Sequence, residues 1–523
     1  MNKPALEDAV LWEHGFDHAL AILQTTSLLL LGVLAISVPV GTFLATMAAR
    51  TDLPCRRFVA VLLGLMLIVP LYLQTGAWQA GFGLQGWFTV WSRQPELLYD
   101  LRGAIWVHAM AAIPWVALIV GVGLRLVEPE LEEEAMLHAR AGQVFRHVTL
   151  RRAAGAIGVA ALWVAVSTGS EMTVSDLFRV RTAAEEIYLA FAATSDIEAA
   201  TLQLLPQIVV NVVLLVLGGA LCLKLMPRSR AIAFRKLPTY RLGAWRWPLA
   251  GLTLLILVVI IGVPLANLVY KAGYEGRAMR SSFEQSWSVT KLLTMAGALP
   301  GTPEEPGPFQ TFDGEMLSSL KISVLAATTT LVLGTALAWW GRNGRFRTPA
   351  LCLIVALLLS LPAPLLSAGV GRALAHFPLV YDSYAAPCTA ISLRTLPIAV
   401  LILWYALRRV PDEALELARV EGAGGLACLL KVAIPLCWPA MIVAWLVGFL
   451  LAIGDVAASQ MVQLPGRETL AWRVFDRLHS GADDQVSGVF ITLIVIFALA
   501  GALIFGLLAL AARRTDATRS SPR

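Results

Sequence analysis

The chain has 523 residues, only 15% of them charged, and a mean hydropathy of +0.71. A soluble chain of this size carries charge on about a quarter of its residues, so a water-soluble globular protein is excluded. The net charge of +6 lies in short loops between apolar runs, which excludes a basic nucleic-acid-binding domain. Apolar runs long enough to cross a bilayer as helices recur along the whole length, which predicts an all-α polytopic membrane protein. We count about eleven spans (10–12), the first five near 23–49, 57–80, 103–126, 152–174 and 201–223. The next six lie near 246–270, 317–341, 349–373, 387–408, 436–459 and 487–512. Pro39, Pro70, Pro114, Pro362 and Pro397 fall inside runs and predict kinks rather than breaks.

The loops near 50–57, 125–152, 224–246, 342–347 and 408–431, with the C-terminal tail, hold well over half of the 41 basic residues. The positive-inside rule puts these loops in the cytoplasm, the C-terminus inside and the acidic N-terminus outside. That N-terminus lacks the basic region of a cleaved signal peptide. The outer segments near 77–102 and 271–315 are longer and rich in Trp, Gly and Pro, with Trp78, Trp87 and Trp91 placed as interface anchors and Gly301–Pro308 as loop. The six cysteines are scattered and show no CxxC spacing, as expected of reduced packing residues.

The chain reads as two related halves, 1–230 and 231–523, joined by the basic stretch near 224–246. Gly41-Thr42-Phe43-Leu44-Ala45 in the first matches Gly334-Thr335-Ala336-Leu337-Ala338 in the second, and each is followed by a basic turn. Glu171 with Ser175 matches Asp455 with Ser459, each followed by an aromatic, Tyr188 or Phe475. The shared order is three helices, a charged loop and two helices; the second half adds a leading helix near 246–270. Both charged loops face the same side, so the repeat is parallel rather than inverted. A carboxylate in a bilayer core costs about 2.5–3.5 kcal/mol, so Glu171 and Asp455 are candidates for the pathway mouth or for a binding-protein contact; a local ion pair with Arg179 or Arg473 is the structural alternative.

The second loop runs from Val410 through Pro411-Asp412-Glu413-Ala414-Leu415-Glu416-Leu417-Ala418-Arg419-Val420-Glu421-Gly422 to Ile434-Pro435. A proline start, an amphipathic stretch and a turn glycine predict a short helix. Ala414 and Ala418 would leave one face flat, for another protein to dock against. Glu416, Ala418, Gly422, Val432, Ile434 and Pro435 stand at the spacings of the EAA loop, so the segment resembles that loop in binding-protein-dependent ABC importer permeases; Leu417 replaces one alanine. The first loop, about 128–151, is a degenerate copy containing Glu132, Glu134 and Ala135; His138 stands at the glycine position and Arg151 at the proline position, with Gly142 a candidate for the turn. Arg394-Thr395-Leu396-Pro397, the stretch from Gly454 to Ser459 and the stretch from Leu464 to Ala471 look most like the fused iron(III)/thiamine/spermidine-putrescine branch.

The resemblance implies a fused permease subunit in the bacterial inner membrane that carries a small solute, with ferric iron the best guess. It implies as partners two ATP-binding-cassette ATPase subunits, a periplasmic substrate-binding protein and membrane lipid. Glu413, Glu416, Ala418, Gly422 and Pro435, with Glu132, Glu134, Ala135 and His138, are then the ATPase-coupling residues. The chain contains no GxxxxGK[ST], so it is expected to be non-catalytic and to hold no cofactor of its own, ATP and Mg being bound by the ATPase. No metal site is assigned, and the His14/His18 pair reads as polar surface. The alternative reading is a secondary transporter or channel driven by an ion gradient.

Overall fold

The computed structural model describes residues 3–194, 208–225, 238–279, 282–302, 306–463, 466–479 and 484–519. Seven helices among them are long and apolar enough to span a bilayer: Leu20–Arg50, Asp100–Arg125, Gly243–Ala272, Asp313–Trp340, Ala385–Leu407, Gly425–Ile453 and Asp484–Ala502. Three further spans are bent pairs, which raises the count to ten. Eleven spans are not reached: the run near 201–223 begins outside the described residues, and its described part is the shorter apolar helix Ile208–Leu221. The linker near 224–246 and the Gly301–Pro308 and Leu464–Ala471 stretches likewise lie partly outside them.

The prolines divide into two groups. Pro39, Pro114 and Pro397 sit within continuous helices, as expected. Pro70 and Pro362 stand at breaks instead, where Arg56–Met66 turns into Leu71–Ser92 by 100° and Arg347–Ser360 into Ala363–Leu374 by 101°. The expectation of kinks at these two sites is corrected. A proline removes an N–H and clashes with the preceding turn, and here the chain leaves the helix altogether. The same right-angle break at the same place in each half extends the internal repeat beyond what the residues announced.

The chain folds as two compact units. One comprises Met1–Leu67, Leu71–Leu293 and Leu478–Gly488; the other comprises Ile68–Pro70, Thr294–Arg477 and Val489–Arg523. The core of the first is built from Val33, Leu44, Val107, Ile113, Val116, Val120, Leu124 and Val164. Its central pair is Leu20–Arg50 against Asp100–Arg125. Gly41 lets them approach, since a Cβ there would stand 2.5 Å from Val116. In the second unit Gly334 has the same role between Asp313–Trp340 and Ala385–Leu407, with Leu403 at 3.2 Å from its would-be Cβ. The repeated Gly-Thr pair is therefore a helix-crossing point, where small residues replace the missing hydrophobic drive between helices in lipid.

Helix Gly243–Ala272, which sequence grouping set at the head of the second half, packs within the first unit. Asn267 fastens it there. Its amide donates to the Ala77 carbonyl (3.1 Å) and accepts from the Trp87 indole (3.1 Å). It lies over Gly81, where a Cβ would run into the amide. A two-stranded antiparallel hairpin follows, Tyr274–Met279 with Ser282–Trp287, paired from Tyr274↔Trp287 to Met279↔Ser282.

Candidate functional site

Each half presents a short helix between two bundle helices. The second loop helix, Asp412–Val420, begins after Pro411 and carries Asp412 and Glu413 in its first turn and Arg419 in its last, as the helix dipole favours. Leu415 is its one fully buried residue and seats it on Ala338, Leu403, Leu407, Val410 and Leu429. Ala418 packs against the same cluster. The alanine face therefore lies toward the bundle of this chain, and the expectation that it is the docking face is corrected: small residues there let the helix sit close to its own support. Leu417 and Val420 instead point outward, 67% and 86% exposed, beside exposed Glu413 and Glu416. Gly422 is exposed and has φ +88, a conformation costly to any residue with a Cβ. Pro435 is exposed at the start of Ile434–Ile453.

The first loop helix, Pro129–His138, reaches the same arrangement with fewer residues. Only Ala139 and Arg140 separate it from the next helical turn at Ala141, and Ala139 is extended, with φ −142 and ψ 155. The second loop spends Glu421 to Gly424 on this connection. The shorter link needs no left-handed residue, which is why His138 can stand where glycine is expected. Gly142 lies inside Ala141–Val144, has no positive φ and makes no turn. Each loop then continues into a five-residue π-helical turn, Phe145–Thr149 or Leu429–Ala433. Beyond it the halves differ. Ala141–Arg152 bends by 56° into Ala154–Gly169, whereas Gly425–Ile453 runs on as one span.

Each loop helix is held by an arginine at the end of its half's Gly-Thr helix. In the second half Arg342 bonds the Val410 carbonyl (2.8 Å) and the Asp412 carboxylate (2.9 Å), an Asp side chain that is 71% exposed. In the first half Arg50 pairs with Glu132, both side chains 0% exposed, and also donates to the Leu124 carbonyl (3.2 Å). Thr149 donates to Glu132, and the Thr149 oxygen lies 2.6 Å from the Tyr240 hydroxyl. Glu132 is thus an internal anchor, not an accessible coupling residue. Glu134 and His138 are exposed, Ala135 is half-buried, and Leu137 projects with 80% exposure.

Glu171 and Asp455 are buried at equivalent turns. Glu171 accepts from the backbone of Thr173 (2.8 Å) and Val174 (3.0 Å), and Asp455 from Ala458 (2.9 Å) and Ser459 (3.0 Å). Their side-chain partners are not Arg179 and Arg473. Asp455 pairs with Arg394 at 2.8 Å, and His108 stands 3.9 Å from Glu171. His108 and Arg394 come from corresponding helices, Asp100–Arg125 and Ala385–Leu407. Tyr188 and Phe475 sit on the helices that follow these turns, Ala183–Thr194 and Leu470–Leu478. Sequence reasoning missed Arg50 and Arg342 as anchors, although the basic turn after each Gly-Thr pair pointed to them. The side chains of His14 and His18 lie outside the described residues.

The described residues thus form a bundle of spanning helices, repeated in order along one chain and bearing a short arginine-anchored helix in each repeat. Residues 322–517 match the family of binding-protein-dependent transport system inner membrane components. The chain is 29% identical over 105 residues to the spermidine/putrescine transport system permease protein PotC of Haemophilus influenzae, covering 20% of this chain and 40% of that protein. It is 28% identical over 180 residues to the putrescine transport system permease protein PotI of Escherichia coli, covering 33% and 63%. It is 27% identical over 178 residues to the molybdenum transport system permease protein ModB of Azotobacter vinelandii, covering 31% and 79%. The chain thus spans about 40% of the length of PotC. These relatives are named for polyamines and molybdenum, so ferric iron gains no support from them.

Proposed function

We propose that the chain is the fused permease subunit of an ATP-driven importer in a bacterial inner membrane, forming the path of a small solute. A periplasmic binding protein delivers the solute, and two separate ATP-binding-cassette subunits bind and hydrolyse ATP. The observation that carries this reading is the outward face of the two loop helices: Leu417 and Val420 in one and Leu137 in the other stand exposed beside acidic residues at points where an arginine anchors the helix to its bundle. Exposed aliphatic tips on a short helix anchored to its bundle suit insertion into a groove of another protein. Glu413, Glu416, Gly422, Glu134 and His138 flank these tips and form the ATPase-contact surface; Ala418, Ala135 and Glu132 support it from behind. The loops face the cytoplasm, the N-terminus lies outside and the C-terminus inside. Glu171 and Asp455 shape the outer mouth of the pathway through the turns they cap.

The test is co-purification with the ATPase, followed by uptake into vesicles supplied with ATP, with a polyamine, molybdate or ferric iron each offered on its own binding protein. Gly422→Trp is expected to insert normally and to lose ATP-driven uptake. Uptake that persists in this variant, or that follows an ion gradient without ATP, refutes the reading. Alanine at both Glu171 and Asp455 is expected to reduce uptake while ATPase association is retained.

A further inference from the structure

The stretch just before helix Gly243–Ala272 is stitched onto the turn that ends helix Leu20–Arg50. The Tyr240 amide donates to the Arg50 carbonyl (2.8 Å), the Asp52 amide donates to the Tyr240 carbonyl (3.4 Å), and the Leu242 amide donates to the Asp52 carboxylate (2.9 Å). These contacts make a parallel bridge between Thr51 and Tyr240. Tyr240 is buried, its ring 5.8 Å from the Arg50 guanidinium carbon and edge-on to Phe145 at 5.4 Å between centroids. Its hydroxyl lies 2.6 Å from Thr149 Oγ1 and 3.2 Å from Glu132 Oε1. Thr149 and Tyr240 have one hydroxyl proton each, and both hydroxyls donate to the Glu132 carboxylate. Burial raises the Tyr240 phenol above its ordinary range and keeps it a donor.

We propose that Tyr240 is a positioning residue for the first loop: through Thr149 and Glu132 it fixes helix Pro129–His138 on the end of helix Leu20–Arg50. The carboxylate of Glu132 then meets Arg50, Thr149 and Tyr240 at once, from three other segments of the chain. In the second half the arginine meets a carboxylate that is mostly exposed, and that helix is held by this ion pair, the Val410 carbonyl contact and the packing of Leu415 and Ala418. The two loops are mechanically unequal. The first is a fixed strut and the second a lever with freedom to move. This consequence for transport rests on the proposed function; the positioning itself does not.

The experiment is hydrogen exchange on the full-length protein in lipid nanodiscs, comparing residues 129–139 with residues 412–420. Tyr240→Phe keeps the ring and removes only the hydroxyl, and it is expected to speed exchange in 129–139 by roughly tenfold while leaving 412–420 unchanged. Thr149→Val is expected to do the same, and the double variant less than the sum of the two, because both hydroxyls serve one carboxylate and touch each other. In vesicles with the ATPase bound, Tyr240→Phe is expected to lower solute moved per ATP hydrolysed at unchanged ATPase association. Unchanged exchange in 129–139, or equal acceleration in both loops, overturns the proposal. Altered exchange in a protein that binds no ATPase upholds the positioning role and refutes the proposed function.

Discussion

Glu132→Ala separates an anchor from a docking residue. In the folded protein this carboxylate and the Arg50 guanidinium are both fully buried, and Arg50 otherwise has the Leu124 carbonyl and the face of Tyr240. Removing the carboxylate strands a buried cation and leaves the Thr149 hydroxyl without its acceptor. Breaking such a buried pair from one side costs about 3–5 kcal/mol. Asp412→Ala removes the corresponding acid in the second half, but that side chain is 71% exposed and Arg342 keeps the Val410 carbonyl, so the cost is about 1 kcal/mol or less. Equilibrium unfolding in mixed micelles against added SDS measures both. The midpoint is expected to shift strongly for Glu132→Ala and little for Asp412→Ala. Arg50→Met with Glu132→Leu is expected to recover most of the loss, since an apolar pair of similar volume avoids the desolvation of both charges. Wild-type stability of Glu132→Ala together with lost ATPase binding would refute the reasoning and return Glu132 to the docking surface.

Three further outcomes follow from the geometry. Gly422→Ala meets no neighbouring atom but forces a Cβ into a left-handed residue, and is expected to cost about 1–2 kcal/mol; Gly142→Ala, equally open but helical, is expected to be neutral or to stabilise by up to about 1 kcal/mol, both read by the same titration. Gly81→Ala drives a methyl into the Asn267 amide and is expected to cost about 1–3 kcal/mol, most of it relieved by Asn267→Ala in the double variant, a non-additivity that a double-mutant cycle detects. The Glu185 carboxyl is pushed up to about 7 by burial and by Asp176 and Glu186, against the weaker pull of Arg181. Its folded form holds a proton more tightly than the unfolded chain does, so its contribution to stability is present at pH 4 and is lost as pH rises toward 7. Glu185→Gln is expected to flatten that slope in thermal unfolding at a series of pH values, and an unchanged slope counts against it.

The membrane class was legible because bilayer crossing is a one-dimensional requirement: about 20 apolar residues in a row, whatever their neighbours. The second loop was legible because Pro411, the acidic first turn and Gly422 are local instructions to the backbone. The repeat was legible in part, through Gly41 with Gly334 and Glu171 with Asp455. The degenerate first loop was misread at Glu132, which is buried against Arg50, at Gly142, which makes no turn, and at His138. His138 looked like a lost glycine, but the link after it is shorter and asks for no left-handed residue.

What the sequence by itself determined is the set of elements and their order: apolar spans, two charged loops between them, and a carboxylate at the matching turn of each half. Only the tertiary structure decided the partners. Whether a proline kinks or breaks a helix depends on what receives the chain beyond it, and Pro70 and Pro362 break where Pro39 and Pro114 do not. Whether a glutamate faces outward or inward depends on which cation lies opposite, and Glu132 meets Arg50 from far away in the chain while Glu134, two residues on, stays exposed. Tyr240 carried no mark in a stretch read as a basic linker. Its role exists because folding brings the end of that stretch beside Arg50, Glu132 and Thr149, and a hydrogen bond depends on distance in space rather than on separation along the chain.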